Sequence, residues 1–192
     1  MAKDALGAEV FMQSLRDAYA AQDDILRVRY NRSLPIQDTF DDRWERARKL
    51  GFGEGASIYN SAVVFGDITV GAKTWIGPYV ILDGSGGLSI GSTCSISCGV
   101  HIYSHDTVEW ALSGGQLPYR YKPAVIGDCC YVGSQAVIAA GVSVGATCVI
   151  SANSLVKDDV PPRTIVGGIP ARRIGEIVFE ADRPKLVYDH KR

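Results

Sequence analysis

From Ile126 onward an aliphatic residue recurs at every sixth position: Ile126, Val132, Ile138, Val144, Ile150 and Val156. The following residue is small in five of these six units, as Gly127, Gly133, Ala139, Gly145 and Ser151, with Lys157 as the exception. Four residues after each aliphatic stands a small or apolar one: Cys130, Ala136, Val142, Cys148, Ser154 and Val160. The same spacing runs through Ile58, Val64, Val70, Ile76 and Leu82, slips by two residues across Asp83–Gly87, and resumes at Ile90, Ile96 and Ile102. A period of six is neither helical nor that of a plain half-buried strand. It suits a short strand and a turn repeated three times per coil, giving an all-β solenoid with eighteen residues per triangular turn. Each inward aliphatic then stacks on the one eighteen residues later: Ile126 under Val144, Val132 under Ile150, Ile138 under Val156. Burying each contributes roughly 1.5–3 kcal/mol before conformational entropy is subtracted. The small residue in the fifth place fits near a corner, and the glycine in the second place relieves crowding at the turn.

One stretch breaks the rhythm. Ile102 and Ile126 are separated by 24 residues, and residues 103–124 (YSHDTVEWALSGGQLPYRYKPA) lack the small-residue slots. Gly114-Gly115, Pro118 and Pro123 mark this segment as an excursion loop from the solenoid wall, and loops on rigid scaffolds commonly carry function. Upstream, residues 1–55 do not repeat. Val10, Phe11, Leu15, Ala18 and Tyr19, then Ile25 and Val28, are spaced as on a helix. A second helix is predicted from Thr39 or Asp41 to Leu50, with Asp41 and Asp42 in its first turn and Gly51 as its stop. Residues 1–55 are therefore expected to be a helical cap on the open end of a solenoid spanning 56–177. Pro161-Pro162 closes the repeat, 163–177 is expected as a loop and short strand, and 178–192 as a polar C-terminal tail.

Composition narrows the classes of function. The 192 residues carry 20 Lys+Arg against 21 Asp+Glu, a net charge of −1, so no global field gathers nucleic acid. No apolar run reaches the ~20 residues that cross a bilayer. Lys3, Asp4, Glu9 and Arg16 interrupt the N-terminus, which argues against a signal peptide and for a cytoplasmic protein. The 21 glycines are about 11% of the chain against a usual ~7%, as tight corners require. The 5 cysteines have no zinc-like C-x2-C spacing. Cys94, Cys130 and Cys148 occupy the small-apolar slot and are read as small hydrophobes.

The segment IGDCCYVGSQAVIAAGVSVGATCVISANSLVKDDVPPRTIVGGIPARRI resembles the C-terminal half of the hexapeptide-repeat acyltransferases, most of all the galactoside, maltose and nodulation-sugar O-acetyltransferases. The resemblance covers about residues 56–177. It implies a left-handed parallel β-helix, a homotrimer with parallel axes, an active site between neighbouring subunits, and acetyl-CoA as cosubstrate with no metal. It further implies direct transfer of the acetyl group to a hydroxyl of a sugar or surface-polysaccharide precursor, with a histidine as general base.

By the same resemblance His105 is the base, although the family's flanking Gly and Pro are replaced by Ser104 and Asp106. Ser134 matches the residue whose N–H faces the thioester carbonyl, and Ala152 a backbone contact to the pantetheine arm. Lys157, one place early relative to the family, and Arg172 and Arg173 match the cofactor's phosphate contacts. Asp83 matches an acidic residue directed at the acceptor. His101, Tyr103 and Trp110 are candidates for acceptor binding, while Trp75 and Tyr79 suit subunit packing; His190 falls in the tail. Two rival readings keep the fold. One is an N-acyltransferase acting on a nucleotide-linked amino sugar. The other is a non-catalytic or carbonic-anhydrase-like protein, which would need its three histidines shared across subunits. A serine acceptor is less expected, because no counterpart of the serine acetyltransferases' longer helical domain is seen.

Overall fold

A computed structural model describes residues 2–189, so His190 lies outside the described residues. The chain divides into two compact units, Met1–Asp42 and Arg43–Arg192. The first holds helix α1 (Ala2–Tyr30) and a 3-10 turn, Ile36–Thr39. The segment after α1 folds back on it, and the Tyr19 hydroxyl donates to the Leu34 carbonyl at 2.7 Å.

In the second unit, α2 (Arg43–Lys49) packs on the first short strand, Ser57–Ile58. Ala47 is buried, and the Arg46 guanidinium donates to the carbonyls of Tyr59 and Ala62. Gly51, at φ +73°, ends the helix in a left-handed conformation that glycine adopts without strain. This helix is the element that covers the start of the first coil.

Residues 56–166 form a left-handed parallel β-helix of about six turns. The register follows the six-residue pattern: Val132 pairs with Ile150, Ile138 with Val156, and Val144 with Ile126. Earlier pairs are Ile58 with Ile76 and Val64 with Leu82. The aliphatics form one buried column, continuous from Ile58 to Val166. Cys94, Cys130 and Cys148 are buried at successive rungs, with their thiols directed at the carbonyls of Gly127, Gly145 and Pro161.

The glycines relieve crowding at the turn, and the crowding comes from the neighbouring coil. A Cβ on Gly133 would stand 2.5 Å from the Ala152 nitrogen, and one on Gly127 2.6 Å from that of Ala146. The second place is therefore glycine because the next coil lies against it. The left-handed turn conformation falls two residues later, at Cys129, Gln135, Thr147 and Asn153, all with φ between 54° and 60°.

Two departures from regularity shape one corner. The two-residue slip lies within a continuous strand, Ile81–Ile90, which bends around the corner. The excursion loop then leaves the wall altogether, since Ile102 pairs directly with Ile138 and Ile90 with Ile126. The loop contains a short helix α3 (Val108–Leu112) and returns through Arg120–Tyr121. At the other end, residues expected as a loop and a tail form longer strands. Thr164–Gly168 extends the sheet, and Ala171–Glu180 and Arg183–Tyr188 add to it antiparallel. No helix among the described residues is long and apolar enough to cross a membrane.

Candidate active site

The triangular cross-section sorts the candidate residues by corner. Each coil turns first at Gly77-Pro78, Ser97-Cys98, Gly133-Ser134 and Ser151-Ala152. It then runs along a wall whose outward residues are Ile81, His101, Val137 and Leu155. It turns next at Asp83–Gly87, at the excursion loop, and at Ala139–Gly141.

At the second of these corners stands His105, whose ring Nδ1 is hydrogen-bonded to the Asp83 carboxylate. Asp83 is 0% exposed. Its Oδ1 accepts the Ser85 N–H at 2.8 Å and its Oδ2 the Ser104 N–H at 3.1 Å. Burial pushes the Asp83 carboxyl up, but hydrogen bonds from Ser85, Ser104 and His105 outweigh it, and its pKa lies below the ordinary value. An ionised carboxylate only accepts hydrogen bonds, so Nδ1 carries the proton of the ring. In the neutral imidazole Nε2 is then a free base, and it has no hydrogen-bond partner among the described residues. The His105 side chain is 25% exposed.

This corrects the part expected of Asp83. From sequence it faces the acceptor; in the fold it points inward and holds the imidazole. The reason is the two-residue slip, which lets the chain curl so that Ser85 and Ser104 present their N–H groups to the carboxylate.

The first corner carries Ser134 and Ala152. Corner carbonyls there are taken up coil by coil: Gln135 N–H donates to Cys98 and Asn153 N–H to Ser134, each at 3.0 Å. The N–H groups of Cys98, Ser134 and Ala152 donate to nothing among the described residues. Three unused donors thus stand in file along one corner, one rung apart. The Cys98 donor is absent from the sequence-based candidates, although its register opposite Ser134 follows from the pairing of Ile96 with Val132. Toward the C-terminal end of this file, Arg172 lies across from Gly167. Arg172 pairs with Asp158 at 3.4 Å, while Arg173 pairs with Glu176 at 3.2 Å and Asp189 at 3.7 Å. Lys157 is exposed and in no ion pair among the described residues.

The other candidates lie apart from this file. His101 is on the wall between the two corners, its Nδ1 3.2 Å from the Tyr103 hydroxyl. Trp110 is on α3 and packs edge-on against Tyr119, their centroids 5.5 Å apart. Among the described residues no group of three His, Cys, Asp or Glu is placed to hold a metal ion.

The chain belongs to the hexapeptide-repeat acyltransferases. Residues 123–158 match the bacterial transferase hexapeptide (six repeats) model. A solved hexapeptide-repeat-containing acetyltransferase of Vibrio cholerae O1 biovar eltor, complexed with acetyl coenzyme A, is 30% identical. The likeness covers 83% of this chain and 87% of that one, with a TM-score of 0.63. The galactoside O-acetyltransferase of Escherichia coli (strain K12) is 28% identical over 140 residues, 62% of this chain and 68% of that protein. Serine acetyltransferase 2 of Arabidopsis thaliana is 35% identical over 169 residues, 86% of this chain but 49% of that protein. The chain therefore spans about half the length of the serine acetyltransferase it matches.

Proposed function

We propose that this chain is an acetyl-CoA-dependent O-acetyltransferase acting on a hydroxyl of a sugar or surface-polysaccharide precursor. The observation that carries the reading is the Asp83–His105 pair, with Nδ1 committed to the carboxylate and Nε2 free. A hydroxyl is a poor nucleophile until its proton is removed, which an imidazole does near neutral pH. Nε2 takes the acceptor proton while the acceptor oxygen attacks the thioester carbonyl carbon. The Ser134 N–H receives the oxyanion that forms. Collapse breaks the carbon–sulfur bond, and the proton on His105 passes to the departing sulfur. No group on the enzyme is acylated. Acetyl-CoA lies along the amide file, with its thioester at Ser134, its arm at Ala152 and its phosphates toward Lys157, Arg172 and Arg173.

His105 and Ser134 stand on different corners of the coil. The wall between them is about four residues wide, roughly 13 Å at ~3.3 Å per residue. One copy does not bring the two together, so a site using both forms where the His105 corner of one copy faces the amide file of the next, as in a homotrimer. His101, Tyr103 and Trp110 border that cleft on the acceptor side.

The test is a free-CoA release assay with acetyl-CoA across sugars and nucleotide sugars, with His105→Ala as control and sedimentation to count subunits. Release that needs a hydroxyl acceptor and His105 supports the reading. Ping-pong kinetics, a trapped acetyl-enzyme, or full activity in His105→Ala would sink it. A preference for amine acceptors with little loss in His105→Ala would move the assignment to an amino-sugar N-acyltransferase.

A further inference from the structure

The excursion loop comes back to the residue it started from. Its two ends form a short antiparallel ladder in which His105 pairs with Tyr121 and Asp106 with Arg120. The Tyr121 ring stands beside the His105 imidazole, centroids 6.1 Å apart and planes 27° from parallel, an offset stack.

The ladder sits on a seat. Lys122 N–H donates to the Ser104 carbonyl at 2.8 Å, and the Ser104 hydroxyl accepts the Gly86 N–H at 2.8 Å. Ser104 is 0% exposed. A Cβ on Gly86 would fall 2.2 Å from the Ser104 carbonyl oxygen and 2.9 Å from the Lys122 nitrogen, so the seat accepts only glycine. The two-residue slip and the loop therefore lock into each other. Within the loop, Arg120 pairs with Glu109 at 3.1 Å, which ties the return strand to α3.

From this arrangement we infer that Tyr121 is a positioning residue for His105, and that holding it there is the work of the 103–124 loop. The inference rests on the reading of His105 as the base. Asp83 anchors one atom of the ring, Nδ1, and a single hydrogen bond leaves the ring plane free to swing. The stacked phenol restricts that swing. Tyr121 is itself 57% exposed, and its hydroxyl has no hydrogen-bond partner among the described residues, so the ring rather than the hydroxyl does the positioning.

The experiment is steady-state thiol release by the full chain and its Tyr121→Phe, Tyr121→Ala and His105→Ala variants, with thermal unfolding of each. Tyr121→Ala is expected to lower kcat about tenfold, with KM for acetyl-CoA within about twofold, because only the reacting geometry is loosened. Tyr121→Phe keeps the stack and is expected to retain kcat within about twofold. If Tyr121→Ala unfolds early, Tyr121→Leu, which keeps apolar bulk without a ring, carries the same expectation. Unchanged kcat in the ring-less variants overturns the inference, as does a loss in Tyr121→Phe equal to that in Tyr121→Ala. If His105→Ala is inactive while the ring-less variants are not, this inference alone fails; if His105→Ala is active, the reading beneath it fails.

Discussion

The coils from Ile126 to Val160 and the corner between Asp83 and Ala124 are built from the same repeat to opposite ends. In the first region every inward place is aliphatic or small, and Ile126, Val132, Ile138 and Ile150 are almost wholly buried. Glycines there let successive coils touch, and no acidic, basic or imidazole side chain enters the column. In the second region the chain takes two extra residues in one coil and eighteen in the next. Fully buried polar side chains, Asp83 and Ser104, appear there, with their hydrogen bonds met by the displaced backbone. A uniform column offers stability and no chemistry. A carboxylate and an imidazole become neighbours where the chain leaves its period, because only there does backbone stray far enough inward to satisfy a buried charge.

This contrast breaks most sharply at His105. Its replacement by alanine should lower kcat by on the order of 10²–10⁴ and lower the unfolding midpoint modestly, because the buried Asp83 carboxylate loses one hydrogen-bond partner but keeps the Ser85 and Ser104 N–H groups; thiol release and a thermal melt read the two. Ile138→Ala should do the reverse. Its side chain is 0% exposed, so the lost contacts and cavity should cost about 2–5 kcal/mol in urea unfolding, with kcat preserved in the fraction that remains folded.

Asp83→Asn probes the border between the two regions. Losing the ionised acceptor at Nδ1 should reduce kcat by about 10², and the pH dependence of stability should change with it. The Asp83 carboxyl has its pKa lowered in the fold. Its stabilising contribution is therefore full above the ordinary aspartate value of about 3.9 and is lost as pH falls through the lower folded value. The stability gap between wild type and Asp83→Asn should close on acidification below about pH 4, and a gap that widens there would show the carboxyl to be raised instead. The smallest effect belongs to Arg172→Ala. Its ion pair with Asp158 is exposed on both sides, so stability should move by no more than about 1 kcal/mol. KM for acetyl-CoA should rise a few-fold, and an unchanged KM would remove Arg172 from the phosphate site.

Particular residues show how much was legible beforehand. Ile126, Val132 and Ile138 declared their rungs, and the slip at Asp83–Gly87 and the excursion at 103–124 were visible as breaks in that count. Ser134 and Ala152 are eighteen residues apart, one full coil, and so share a corner. The sequence pattern does not show that Asp83 turns inward, nor that Tyr121 and the Cys98 N–H stand at these corners. Nothing in a six-residue rule says where a side chain points once the rule lapses. The C-terminal strands Ala171–Glu180 and Arg183–Tyr188 escaped for a related reason: they pair antiparallel and outside the repeat.

The amino-acid order alone determined the walls of this protein, because burial acts on each inward position independently and a period of six leaves one way to bury them all. Only the tertiary structure decided which groups meet at the corner. Asp83, His105 and Tyr121 are brought together by how far the chain wanders between them and by the seat at Gly86 to which it returns. Such contacts depend on the path of the intervening backbone, which no local pattern of hydrophobic residues encodes.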